Sequence, residues 1–334
     1  MELDPRHGTH DPSTTTVRRR RQSVRRTTSI DMLRPSGVEG PVQLRGAARD
    51  LSTGTTGAAM VLGEASLTAT VDFHNGRRVQ ELELWPHHPG AAALVNIAAA
   101  SGFRSAVDRA LPDQREATTL LYQLLDDVPV ATLVSGFALQ NAGYKQKGVA
   151  VPQQKADICS GWRTGGTIMI ELTSRGQVPP ATGPVAPDIE DVDDPIGWHR
   201  MAPLSRGGMR RRRRLDVTLG ALLHVDAMLR DSHVDDAGLE TVVHEYAVSA
   251  SVDPDGFVVR AISARPHVLP WMECPSAALS AQRLVGQQVQ GLRDQIRTSF
   301  LGVETCTHLN DLLRTLTDVP ALALLGARSN RLEQ

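Results

Sequence analysis

The chain is poor in lysine, cysteine and aromatic residues, and it has no long apolar run. Only three of its 36 basic residues are lysines, Lys145, Lys147 and Lys155. That bias points to a GC-rich bacterial genome rather than to a function. Three cysteines, Cys159, Cys274 and Cys306, are too few for a disulfide framework, and the odd count reads as reduced thiols in a cytoplasm. The longest apolar stretch, around 91–100, is far too short to span a bilayer. The N-terminus is charged and rich in Thr, with no apolar segment of the kind a secretory signal carries. The expectation is therefore a cytoplasmic protein with no membrane partner. The net charge of −1 supplies no overall field to steer the molecule to nucleic acid or anionic lipid. No Walker loop, no G-x-G-x-x-G after a strand, no G-x-S-x-G and no H-E-x-x-H is present, so the common nucleotide, esterase and zinc-protease signatures are absent.

What is present is length enough for two ordinary domains in 334 residues, with 41% hydrophobic and 22% charged residues. Residues 1–24 are polar, rich in Thr and Arg and aperiodic, and read as a disordered basic tail. Segments 42–51, 65–73 and 78–85 follow with strand-like patterns, and 74–76 (HNG) reads as a hairpin turn. After Pro86 the character becomes helical. Segments 91–100 and 103–110 have helical period. In 118–126, Leu120, Leu121, Leu124 and Leu125 form one helical face, with Pro129 expected to stop or kink that helix.

The order then repeats. Ser29-Ile-Asp-Met32 matches Arg214-Leu-Asp-Val217, and TATVD (68–72) matches SASVD (249–253). Asp50 with Asp231 and Asp72 with Asp253 both give an offset of 181. TLLYQLLDDVP (119–129) matches DLLRTLTDVP (311–320) at an offset of 191. The reading is α+β: two tandem copies, each an antiparallel sheet of about four strands followed by about three helices, packed as a pseudo-dimer. The first copy is 25–172, with an added segment at 141–172 in which TIMIEL (167–172) is expected to be a strand. A linker rich in Pro and Gly and then acidic spans 173–205. The second copy is 206–325, and 326–334 is a tail.

Chemistry concentrates in the second copy. Thr307 is an acceptable N-cap, and Leu309, Leu312, Leu313 and Leu316 give a core-facing stripe, so a helix starts near Thr307. Cys306 sits just ahead of it, where exposed N–H groups and the helix dipole are expected to lower a thiol pKa. His308 is two residues on. The first copy has Gln114 and Glu116 at the matching places. Cys274 follows the last strand and is expected near the same helix start. Cys306 and His308 are the candidate catalytic pair, nucleophile or persulfide carrier and proton acceptor. Cys274, Cys306 and His308 are the candidate ligands for a metal, Zn²⁺ or iron, with His267, His224, Asp253 or water as a fourth. The bland alternative is inert buried cysteines beside a core histidine, in a non-enzymatic binding or assembly module with a protein partner. His224 and His244 read as ordinary sheet residues, His87 and His267 as shared turn geometry, and Cys159 as a small buried hydrophobe near Trp162. The arginine runs at 18–21, 25–26 and 210–214 could contact phosphates. Aromatics are only 4%, and no recognised reading motif accompanies the runs. The expected account is solvated arginines at strand edges, with nucleic acid not a partner.

RRRRLDV (211–217), VHEYAVSASVDPDGFVVRAISARP (243–266), CP (274–275), LVGQQV (284–289) and CTHLNDLL (306–313) resemble the Domain-of-Unknown-Function 2889 family. The first half resembles it more loosely through RRTTSIDM, ARDL and LLDDVP. Together these cover about residues 25–325 in two passes. Members usually carry Gly before the Cys of the last helix, where this chain has Thr305. The family name assigns no activity. A fainter similarity is to iron–sulfur scaffolds of the NifU type. It implies strands then helices, with Cys274 after the last strand and Cys306 at a late helix start. Thr298–Ser299 fall where such scaffolds place a middle cysteine.

Overall fold

Alternating and β-rich segments form eight strands in the computed structural model, which describes residues 6–144 and 156–332. They are β1 (Ser23–Leu33), β2 (Val42–Thr53), β3 (Ala59–Asp72), β4 (Arg78–Trp85), β5 (Met209–Thr218), β6 (Leu223–Val234), β7 (Glu240–Val252) and β8 (Val259–Val268). Eight helices accompany them: α1 (Phe103–Ala110), α2 (Pro112–Glu116), α3 (Leu120–Val134), α4 (Gly136–Asn141), α5 (Thr167–Arg175), α6 (Leu292–Ser299), α7 (Thr307–Arg314) and α8 (Val319–Leu332). The three lysines, and parts of the expected tails and of the added segment, lie outside the described residues.

Where two four-stranded sheets were expected, the strands make one eight-stranded antiparallel sheet in the order β4-β3-β2-β1-β5-β6-β7-β8. The join is β1 against β5, in register from Ser23↔Thr218 to Met32↔Met209. This join decides the fate of the arginine run. β1 and β5 become the innermost strands, so Arg210, Arg211, Arg212, Arg213 and Arg214 are all less than 8% exposed. The solvated arginines expected from the sequence are instead internal. Arginines enter such a place only when their charge is matched, and here aspartates match it. Across the join Arg25 binds Asp216 at 2.7 Å, and Arg210 binds Asp31 at 2.5 Å.

One face of the sheet carries the helices. α3 lies on β1, β2 and β3, and α8 lies on β1, β2 and β5. Thr119 caps α3 by accepting from Tyr122 N. The helix runs through Pro129 to Val134, where a stop or kink had been expected. Val128, Val130, Ala131 and Val134 are buried, and that packing outweighs the single lost backbone bond. TIMIEL is not a strand but the body of α5. Ile168, Met169 and Leu172 bury one helical face, and Gly176 at φ 68° provides the left-handed cap. The run was too short for its period to separate helix from strand.

The other face is covered by segments that the sequence placed in a tail and a linker. Ser13 N donates to Glu245 at 2.8 Å, and Arg230 reaches the carbonyls of Ser13 at 2.6 Å and Pro187 at 2.7 Å. Trp198 Nε1 donates to Thr16, and His199 sits between Ser29 and Thr27 hydroxyls at 2.8 and 2.9 Å. The acidic stretch pairs with the N-terminal arginines, Asp193 with Arg18 at 2.6 Å and Asp194 with Arg19 at 2.8 Å. These segments are ordered because the sheet's second face carries buried cations that need acceptors. Further along, Val242 N donates to Pro184 O and Ala186 N to Glu240 O, both at 2.9 Å. A Cβ on Gly183 would meet Val242 O at 1.8 Å. Gly183→Ala is therefore expected to lift 183–186 off β7. Limited proteolysis will detect it as faster cleavage within 174–195, and an unchanged rate would refute it.

Candidate metal and thiol site

Register sets one row of side chains on the helix-bearing face. Arg211 in β5 faces Asp231 in β6, and Asp231 faces His244 in β7. Arg211 clamps Asp231 in a two-pronged ion pair, Nε to Oδ1 at 2.7 Å and Nη2 to Oδ2 at 2.8 Å. Its Nη1 reaches Asp311 of α7 at 3.0 Å, which ties that helix onto the row. α7 starts at Thr307 as expected, but its N-cap is Cys306 rather than Thr307, and no side chain caps it. The first turn brings the His308 ring over His244, stacked at 3.6 Å between centroids and 17° between planes.

His244 Nδ1 lies 3.7 Å and His308 Nε2 3.9 Å from Asp231 Oδ2. Both distances are too long for hydrogen bonds, and neither buried nitrogen has a hydrogen-bond partner among the described residues. Ligand atoms of Asp231, His244 and His308 all fall within 4.8 Å of one another. Burial, then the Arg211 charge, pushes the His308 pKa down to about 3 against the pull of Asp311. Burial, then His308, holds His244 well below the ordinary value as well. Both rings are neutral at pH 7 and so have a lone pair to offer.

On its other side His308 meets sulfur, with Nδ1 3.9 Å from Cys306 Sγ. The two expected catalytic residues are thus together. The expected lowering of the thiol pKa is reversed. Burial pushes Cys306 up, and this outweighs the backbone N–H groups of Leu309 and His308 at the helix start. Cys274 is buried and raised well above the ordinary thiol range, by burial first and then by Cys306 and Cys159. It lies in that thiol neighbourhood and is not in the Asp231, His244 and His308 group. Cys159, read from sequence as a separate hydrophobe, joins it. Ser160 N donates to Thr305 O at 2.9 Å, and the Ser160 hydroxyl also bonds Glu273 O. The 159–161 segment therefore bridges the neighbours of Cys306 and Cys274. Burial, then Cys306, pushes Cys159 up to about 12. Tyr246, two residues beyond His244 on the same face, brings its buried hydroxyl to these thiols.

Sequence reasoning missed Asp231 as a site residue and set His244 aside as a sheet residue. In the sequence Asp231 stands out only as a marker of the repeat. On the first half's side the matching row is Arg26, Asp50 and Gly63, with no imidazole. That place opens into a groove of about 1090 Å³ lined by Asp50, Glu64, Ala65, Gln114 and Glu116.

Fold and site together define a protein of mixed α and β structure with an aspartate–histidine–histidine cluster, its aspartate buried and its two imidazoles half-buried, on one antiparallel sheet. Residues 209–322 match a family model described as "Protein of unknown function (DUF2889)". The stretch from the start of β5 into α8 is similar to that family, and it contains every residue of the cluster. No curated protein and no solved structure matches the chain. Among the described residues, no helix is long and apolar enough to cross a membrane.

Proposed function

We propose that this protein binds a divalent transition-metal ion of the Zn²⁺ or Fe²⁺ type through Asp231, His244 and His308. One observation carries the reading: two buried, neutral imidazole nitrogens without partners face the same carboxylate oxygen. If His308 Nδ1–H points to Cys306 Sγ, its Nε2 lone pair faces a carboxylate lone pair, which is repulsive unless a cation lies between them. Arg211 takes one lone pair of Asp231 Oδ2 and leaves the other, as second-sphere partners of coordinating carboxylates do. Two imidazoles and one carboxylate suit zinc or ferrous iron and leave a position for water or substrate.

The test is metal analysis and Zn²⁺ titration calorimetry on purified protein. One ion per chain is expected, with His244→Ala and His308→Ala each weakening binding at least about tenfold. A wild-type protein that takes up no ion would end the reading. X-ray absorption separates nitrogen and oxygen ligands from sulfur, so a sulfur signal would favour the set Cys274, Cys306 and His308 instead.

A second reading has its own support. Cys306, His308 and Asp231 stand in line, the order of a thiol nucleophile, its base and an orienting carboxylate. Alkylation of Cys306 that slows when His308 is replaced would favour it. We also read the chain as two diverged copies with a cytoplasmic bacterial setting. The exchange of Arg25–Asp216 and Arg210–Asp31 pairs, both offset by 185 residues (210 − 25 and 216 − 31), supports the duplication. So do the cross-strand pairs Arg26–Asp50 and Arg211–Asp231. In this reading the first half is the structural partner of a site that only the second half keeps.

A further inference from the structure

The groove in the first half lies where the second half keeps its imidazoles. Gly63 stands opposite Asp50 as His244 stands opposite Asp231, and a glycine there leaves open the space a ring would fill. Helices from both halves wall it, α2 and the start of α3 on one side, α6 and α8 on the other. Arg115 of α2 ties to Asp294 of α6 at 2.6 Å. At about 1090 Å³ the groove is far larger than one ion needs. It matches the upper range of organic-ligand sites, which favour the seam between two units.

Two features of the wall go beyond shape. Thr118 follows α2 at φ 47°, the left-handed position where a helix end normally carries glycine. Thr118 N donates to Arg115 O and Thr119 N to Gln114 O, both at 3.1 Å. The turn is therefore the usual one, and the branched side chain is the strained part. Thr118 is 8% exposed, and its buried Oγ1 has no hydrogen-bond partner among the described residues. Arg293 is 7% exposed, and its Nη1 also lacks one, at 3.7 Å from Asp126. Thr317 Oγ1 is a third such atom. All three residues line the groove. Buried polar atoms left open around one cavity, beside a strained backbone, mark a site built for a ligand.

The charges restrict its kind. Four arginines and five carboxylates line the groove, and the buried ones are already matched. Arg26 holds Asp50 at 2.7 Å, and Arg26 and Arg293 take opposite oxygens of Asp318, each at 2.9 Å. An anion such as phosphate would have to compete with these pairs. What stays open is a guanidinium N–H, two hydroxyls and the second lone pairs of the Asp50 carboxylate, beside apolar surface from Leu120, Leu121, Pro320 and Ala321. We propose that the groove binds an uncharged organic molecule carrying a carboxamide on an apolar body. Its C=O accepts from Arg293, its N–H donates to Asp50, and the Thr118 and Thr317 hydroxyls complete the set. This site is independent of the metal reading and gives the first half a function of its own.

Saturation-transfer NMR of the full chain with N-acetyl-L-leucinamide tests this, at about 10 mM probe, the range for a fragment of this size. Transfer to the amide is expected, and neither N-acetyl-L-leucine, its carboxylate counterpart, nor inorganic phosphate should displace it. Thr118→Gly relieves the strained position. It should raise the melting temperature by about 2 °C and yet weaken binding about threefold to tenfold. Ala321→Trp fills the groove from α8, so it should abolish transfer and leave the Zn²⁺ titration unchanged, with its melting transition showing that it is folded. Absence of transfer in wild type, displacement by phosphate or the carboxylate, or unchanged affinity in Thr118→Gly or in a folded Ala321→Trp overturns the proposal. Failure of wild type to take up Zn²⁺ would end the metal reading and leave this one standing.

Discussion

Arg211→Met will cost the protein about 3–5 kcal/mol of stability, the range for removing one partner of a buried ion pair. Arg211 is 1% exposed. It holds Asp231 at 2.7 Å and Asp311 at 3.0 Å, and Asp127 lies 3.9 Å away. Burial alone would disfavour its charge, but Asp231, followed by Asp311 and Asp127, raises its pKa above the usual arginine value. Methionine fills much of the volume and supplies no charge. Asp231 and Asp311 then stay buried with less compensation, and α7 loses its tie to β5. A domain of this size has about 5–15 kcal/mol in total, so a loss this large moves the denaturant midpoint far. The comparison is Arg297→Met, where the Asp294 pair is 41% and 53% exposed and less than about 1 kcal/mol is at stake. Equal midpoints for the two variants would show that the internal network is not what holds the sheet to its helices.

Lowering the pH from 7 to 5 will remove about 4 kcal/mol or more through buried histidines. Burial, then the Arg49 charge, holds His199 at about 3, and burial holds His308 at about 3. In the unfolded chain each titrates near 6.5. The folded pKa is the lower one, so the unfolded state binds more protons, and stability present above pH 6.5 is lost as pH falls towards 3. At pH 5 each group contributes a loss of about 2 kcal/mol. His244, also held low by burial, adds in the same direction. Asp127 and Asp318 are raised by burial and act in the opposite sense, nearer the carboxylate range. Asp126 and Asp311 add to acid sensitivity only at lower pH. Burial works against their ionised forms, but Arg314 and Arg104 pull both well below the usual carboxylate value. Urea midpoints at pH 7 and pH 5 measure the fall, and coincident curves would mean that these rings are not held neutral.

Much of this architecture was legible before any coordinates. β2, β3 and β4 overlap the segments 42–51, 65–73 and 78–85 that read as strands in the sequence, and the start of α7 near Thr307 follows from its leucine stripe, although Cys306 and not Thr307 is its N-cap. Cys306 and His308 were identifiable because they are two residues apart on a helix start, where local geometry alone makes them neighbours. The site's other half was not legible. Asp231 and His244 are thirteen residues apart, and only the β6–β7 register, with its irregularity after Asp231, sets them opposite each other. Cys159 was set apart because its segment folds back onto 273–276 and 305 through Ser160, contacts with no sequence period.

Local structure was thus determined by the sequence itself: the mixed α and β content, the first three strand runs, the start of α7, and the 209–322 stretch that resembles DUF2889. Only the tertiary structure decided that one sheet replaces two, that five consecutive arginines lie inside, and that two imidazoles face one carboxylate. The reason is that periodicity reports which face of its own element a residue occupies. What lies opposite that face is chosen by strand partner and register. Once β1 pairs with β5, arginines that look solvent-bound become the core's cations, and aspartates from distant helices must meet them.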